Sequence, residues 1–185
     1  MEDQLKLVRD YLTLFSISGA IVALDQWSKY FVRSRLAFGE AWSPFEWLSP
    51  YARFVHWNNT GAAFGMFPQG SLVFTIVAIV VALAIIYYYP QVPKTELALR
   101  IALGLQLGGA LGNLISRLTV GVVTDFISVG RFPVFNVADS SISIGVVVLL
   151  LGMWNEERAT RRLAAEGADA GGSASEDKNE SVQTE

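Results

Sequence analysis

The stretch SLVFTIVAIVVALAIIYYYP (71–90) carries no charge and is almost wholly aliphatic until three tyrosines and a proline close it. At 1.5 Å rise, about 20 apolar residues in a helix cross the hydrocarbon core of a bilayer. Tyrosines suit the headgroup level, and Pro90 stops the helix, so 71–89 reads as a membrane span. Outward from it, three further apolar stretches reach similar length, at about 11–32, 97–118 and 137–154. Residues 54–93, 101–116 and 140–155 are free of Lys, Arg, Asp and Glu. A soluble domain of 185 residues, here 52% apolar, needs charge over most of its surface, so a soluble globular enzyme is excluded. The expected fold is an all-α membrane protein, a four-transmembrane-helix bundle. The first span is not read as a cleaved signal peptide, because its apolar run continues through Asp25 to Phe31 and Val32 behind a weakly basic MEDQLKLVRD.

Residues 1–10 form a short N-terminal segment and 11–155 the membrane domain. Residues 156–185 form a tail whose small, polar, aromatic-free composition predicts disorder. Six carboxylates against Lys178 give residues 163–185 a charge of −5, leaving 13 basic and 11 acidic side chains elsewhere. The acidity therefore belongs to the tail. Between the first two spans, Trp42, Phe45, Trp47, Tyr51, Phe54 and Trp57 mark an interfacial segment, and the alternation over 51–57 suggests short strands. With four spans, both termini and the 90–96 turn share one side. That side holds Lys6, Arg9, Lys94, Arg100, Arg158, Arg161 and Arg162; the other holds Arg33, Arg35, Arg53 and Arg131. This balance favours cytoplasmic termini.

Ionisable residues are expensive within a bilayer and mark function by default. Asp25 and Lys29 lie near the end of the first span, Asn58 and Asn59 before the second, Asn113 and Arg117 at the end of the third. Asp125 follows, and Asn136 and Asp139 open the fourth. In an up-down bundle these positions meet at one membrane face, whichever way the chain is oriented. Simpler readings stand beside this one. Asp25 and Lys29, spaced i,i+4, neutralise each other as a structural pair. Arg117 suits a helix C-terminus. Gly104, Gly108 and Gly112 form a small-residue stripe for close helix packing. GAAFG (61–65) is either a flexible turn or a loop exposing backbone to an extended peptide. His56 reads as interfacial.

Asp125 and Asp139, fourteen positions apart, have no basic partner at helical spacing. An N-cap role would explain Asp139 but not Asp125. If the two carboxylates meet at low dielectric they cannot both ionise, and they share a proton. The ionised one then takes a proton from water while the other polarises a carbonyl, which is peptide hydrolysis without thiol, triad or metal. That chemistry suits a chain with no Cys and one His, in which no metal or cofactor is expected. A transporter with proton-binding carboxylates would place charge at mid-span and repeat its halves, and neither is seen. A noncatalytic scaffold would tolerate loss of either aspartate.

LDQWSKYFV (24–32), NNTGAAFG (58–65), GGALGNLISRL (108–118), VVTDFISV (122–129) and FNVADSSISIG (135–145) resemble, in order and spacing, the lipoprotein signal peptidase family, signal peptidase II. The resemblance implies a bacterial membrane aspartyl endopeptidase. Such enzymes remove the signal peptide of prolipoproteins on the amino side of a diacylglyceryl-modified cysteine, at the outer face of the cytoplasmic (inner) membrane. It implies catalytic roles for Asp125 and Asp139, and supporting roles for Asp25, Lys29, Asn59, Gly61, Asn113, Arg117, Asn136 and Ala138. It further implies an extracytoplasmic β-cradle between the first two spans and a short lid helix before Asp139. Partners are lipidated precursors and membrane lipid, not nucleic acid, and the expected state is a monomer. Ser116 departs from the family's usual aspartate before the arginine.

Overall fold

Long apolar runs without internal proline leave the backbone no partners in lipid except its own, and they fold as helices. The computed structural model describes residues 2–60 and 70–182. Helix α1 spans Glu2–Arg35, α2 Ser71–Tyr88, α3 Leu97–Thr119 and α4 Val137–Val182. Strand β1 is Ala41–Trp42, β2 Ala52–Asn59 and β3 Val123–Val129, with single 3-10 turns at Glu46–Leu48 and Tyr89–Gln91. Four segments are long and apolar enough to cross a membrane: Leu7–Arg35, Ser71–Gln91, Leu97–Thr119 and Val137–Arg158. They coincide with the four spans expected from sequence. The protein is a multi-pass membrane protein, mostly helical, with one small sheet.

Helix α3 is the inner one. Half of its span is buried, against 11% for α2 and 17% for α1. Its glycines explain why. A Cβ on Gly104 would fall 2.9 Å from the Ile17 side chain, one on Gly108 would fall 2.7 Å from Ile21, and one on Gly112 would fall 2.7 Å from the Asp25 carboxylate. Steps of four residues on α3 thus match steps of four on α1, the close approach expected of the stripe. Gly109 faces α4 instead, where a Cβ would run into the Ala138 carbonyl. On α2, Leu72, Val73, Ile76, Val77, Val80 and Leu83 stay half or more exposed, as a lipid-facing surface should.

The sheet has the order β1-β2-β3, antiparallel throughout. Its third strand comes from the connection after α3, so the β subdomain is not confined to the segment between the first two spans. Along β2–β3, Phe54 pairs with Ile127, but Trp57 pairs with Asp125, so β2 holds one extra residue between them. No helix lies between β3 and α4. Those seven residues turn at Gly130 (φ 53°), and Phe135 pairs back onto Ile127, leaving no length for the implied lid helix.

Residues 149–182 form a separate unit. Within it, the Arg158 guanidinium lies 3.9 Å from the Trp154 ring centroid, and Arg161 pairs with Glu157 at 2.6 Å. The backbone is helical as far as Val182, where composition suggested disorder. Residues 158–170 are rich in Ala, Arg, Leu and Glu, all strong helix formers.

Candidate active site

Asp125 sits on the most enclosed part of β3. Val123, Thr124, Asp125 and Phe126 are all buried, so this strand is covered on both faces. The extra residue in β2 sets the register that brings Asn59 alongside, and the Asn59 Nδ2 donates to Asp125 Oδ2 at 2.9 Å. From just before α4, the Asn136 Nδ2 donates to the other oxygen, Oδ1, at 2.6 Å.

Asn136 precedes the first residue of α4 and is its N-cap. Its Oδ1 accepts from the Asp139 backbone N–H at 3.0 Å, while Asp139 Oδ2 accepts from the Asn136 backbone N–H at 3.2 Å. This reciprocal pair is a capping box built from Asn and Asp. Asp139 is therefore the third residue of the helix, not its cap, and its second oxygen, Oδ1, accepts from Asn113 Nδ2 at 2.8 Å. A single residue, Asn136, thus holds both carboxylates, one through its side chain and one through its backbone.

Behind them runs a buried polar chain. Asn113 Oδ1 accepts from Asn136 Nδ2 at 3.2 Å and from Lys29 Nζ at 2.9 Å. Lys29, fully buried, also donates to Asp25 Oδ2 at 2.8 Å and to Ser116 Oγ at 3.3 Å. Asp25 is no isolated helix-face pair. Its Oδ1 accepts from the backbone N–H of Ala138 at 3.0 Å, tying α1 to the first turn of α4. Gln26, passed over in the sequence because its neighbour Asp25 drew attention, donates to Asp25 Oδ2 and to the Gly112 carbonyl, both at 2.9 Å. Burying ions and amides at this density is costly unless each is partnered, and here each is.

Arg117 stands apart from that chain. Its guanidinium lies 5.8 Å from the Phe74 ring centroid, and its Nε is buried without a hydrogen-bond partner among the described residues. It lines a cavity of about 780 Å³ together with Asn59, Asn113, Asp125 and Asp139 at the polar end. Phe74, Val77 and Val81 of α2 and Ile142 of α4 form its apolar wall. His56 is not part of it; its Nδ1 lies 2.9 Å from the Leu36 carbonyl oxygen. Gly61 and the rest of 61–69 lie outside the described residues. Asp25, Lys29, Asn59, Asn113, Arg117, Asn136 and Ala138 converge with Asp125 and Asp139 on this one end. Arg33, which was not singled out, donates to Thr124 Oγ1 at 3.1 Å and fastens β3 to α1.

Burial pushes the Asp125 carboxyl up to about 6, and the neighbouring Asp139 carboxylate pushes the same way. Hydrogen bonds from Asn59 and Asn136 and the Lys29 charge oppose that rise. Two carboxylates at the polar end of an apolar groove, one with its proton held more tightly than usual, are an arrangement able to work as an acid and a base.

Comparison with known proteins gives the family. Residues 17–155 match the family described as Signal peptidase (SPase) II. A lipoprotein signal peptidase of Enterococcus faecalis is 32% identical over 84% of this chain and 96% of its own length. One from Moorella thermoacetica is 42% identical over 70% of this chain and 84% of its own. A solved bacterial membrane enzyme, determined by the in meso method at 2.3 Å, superposes with a TM-score of 0.72 at 30% identity. That superposition covers 78% of this chain and 89% of the solved one. The match takes in every element that carries the buried polar chain, and the protein belongs to the signal peptidase II family of membrane peptidases.

Proposed function

We propose that this protein removes signal peptides from diacylglyceryl-modified bacterial prolipoproteins as an aspartyl endopeptidase, cutting on the amino side of the lipidated cysteine. The observation that carries the reading is the shared hold of Asn136 on Asp125 and Asp139 at the polar end of an apolar groove. The ionised aspartate accepts a proton from water, and the water oxygen attacks the scissile carbonyl carbon. The protonated aspartate donates to the carbonyl oxygen. The tetrahedral intermediate then collapses: the first aspartate passes its proton to the nitrogen and the C–N bond breaks. The second aspartate takes back a hydroxyl proton as the carbonyl re-forms, so the cysteine leaves as an amine and the pair is restored. Asn113 and Asn136 orient the carboxylates, Lys29 and Arg117 offset their charge, and Asp25 with Ala138 fixes the start of α4. Both the lipid and the signal helix are already in the bilayer, so the protein has only to position one bond. The enzyme acts as a monomer in the cytoplasmic membrane, with the site at the outer face and the termini in the cytoplasm.

Purified wild type, Asp125→Asn and Asp139→Asn, given lipidated and unlipidated precursor, test this. Wild type is expected to cut only the lipidated form. Either asparagine variant, folded as judged by its melting temperature, should lose at least about 1,000-fold in rate, beyond what loss of one acid–base group alone costs at the low end. A variant that cuts at the wild-type rate would sink the catalytic assignment.

A further inference from the structure

Gln106 lies on α3 in line with Ala110, Asn113 and Arg117 at steps of three or four residues, and all four line the groove. Its Nε2 is fully buried and has no hydrogen-bond partner among the described residues. Its stem fills the space a side chain on Gly145 would need, with Cγ 2.9 Å from that position. A buried amide N–H without a partner is unfavourable, so it calls for an acceptor that the other described residues do not offer.

Its depth indicates which acceptor. Seven helical residues separate Gln106 from Asn113, about 10 Å along α3 away from the carboxylates. A peptide must be extended to be cut, and an extended chain rises about 3.3 Å per residue. A substrate running down the groove therefore reaches Gln106 roughly three residues before the cut bond. There its signal helix must end, and a helix ending in lipid leaves its last carbonyls with neither intrahelical partners nor water.

We propose that Gln106 donates its amide hydrogens to a backbone carbonyl freed at the C-terminal end of the substrate's signal helix, fixing where the helix stops and the extended run into the site begins. The terminal torsion of a glutamine is broad and two-fold, so a turn about it swings the donor into the groove. The inference rests on the cleavage reading above.

The test is Gln106→Leu assayed on lipidated precursor, with kcat, KM and melting temperature measured together. A bond made equally in ground and transition states predicts KM raised about three- to tenfold at unchanged kcat. Because an unpaired buried amide is removed, the melting temperature should hold or rise. Unchanged KM in an enzyme that otherwise cuts normally overturns this inference alone. A raised KM with a lowered melting temperature assigns Gln106 to packing and also overturns it. Wild type that leaves the precursor uncut removes the cleavage reading and this inference with it. Should the leucine variant not fold, Gln106→Met, unbranched and of similar length, gives the same readouts.

Discussion

Asp125 and Asp139 are placed so that their titration is joint. Burial and the neighbouring carboxylate both hold the Asp125 proton, up to about 6. In the proposed mechanism the active state carries one proton on the pair, so it exists between the pair's two macroscopic steps. As pH rises past the upper step, that proton is lost and the general acid with it. The expected profile of kcat/KM is therefore a bell, falling about tenfold per unit above about pH 6 and falling again below the lower step. Rates on lipidated precursor from pH 4.5 to 9 measure this, and a profile flat to pH 9 would rule out a shared-proton pair. That Asp125 and Asp139 meet at one end of the bundle was legible in the sequence, because ionisable groups at membrane boundaries stand out. Gln26 and Gln106 were not legible in the same way. A neutral amide in an apolar run gives no charge signal, and its task appears only when its partners, or their absence, can be seen.

Among the elements, α3 decides most, and it does so through glycine. The sequence displayed Gly104, Gly108 and Gly112 as a stripe at four-residue spacing, and the structure sets them against α1. Gly109 was masked by its neighbour, being off the stripe, yet it makes the tightest contact, against the Ala138 carbonyl beside Asp139. A methyl there meets backbone and, at 2.6 Å, both Ser141 Oγ and Ile142 Cγ1, so the first turn of α4 must move. Gly109→Ala is expected to cost about 1–3 kcal/mol, an overpacking penalty, and to slow cleavage because Asp139 moves with that turn. On α1, Gly19 has nothing within 4 Å of its would-be Cβ, so Gly19→Ala should leave cleavage intact and gain up to about 1 kcal/mol from helix propensity. Melting temperatures of the two variants, side by side, check the contrast; equal behaviour would mean that the α3–α4 contact is not tight. Helix positions were readable because bilayer thickness imposes a length. Strand β3 was read only as part of a connection, because its partner Ala52–Asn59 lies some seventy residues earlier and local periodicity cannot report a distant edge.

At the scale of the whole membrane domain, buried ion pairs pin the helices at both ends. At the end where the carboxylates lie, the paired Asp25 and Lys29 of α1 also bond to Ala138 of α4 and to Asn113 and Ser116 of α3. At the other, Arg100 donates to Asp10 at 2.7 Å and lies 4.4 Å from the Tyr89 ring centroid, joining α3 to α1 beside the turn after α2. This asymmetry gives the orientation a direct test. Arg9, Lys94 and Arg100 sit at the end away from the site, so the positive-inside rule predicts that end in the cytoplasm and the carboxylates outside. The chain has no cysteine, so single substitutions report without background. Glu46, in the turn after β1, and Thr95, before α3, are both exposed. In spheroplasts, a membrane-impermeant maleimide should label Glu46→Cys at once and Thr95→Cys only after detergent. The reverse pattern would put the carboxylates at the cytoplasmic face, where a precursor whose lipidated cysteine has already crossed the membrane could not reach them, and the proposed reaction would lose its substrate.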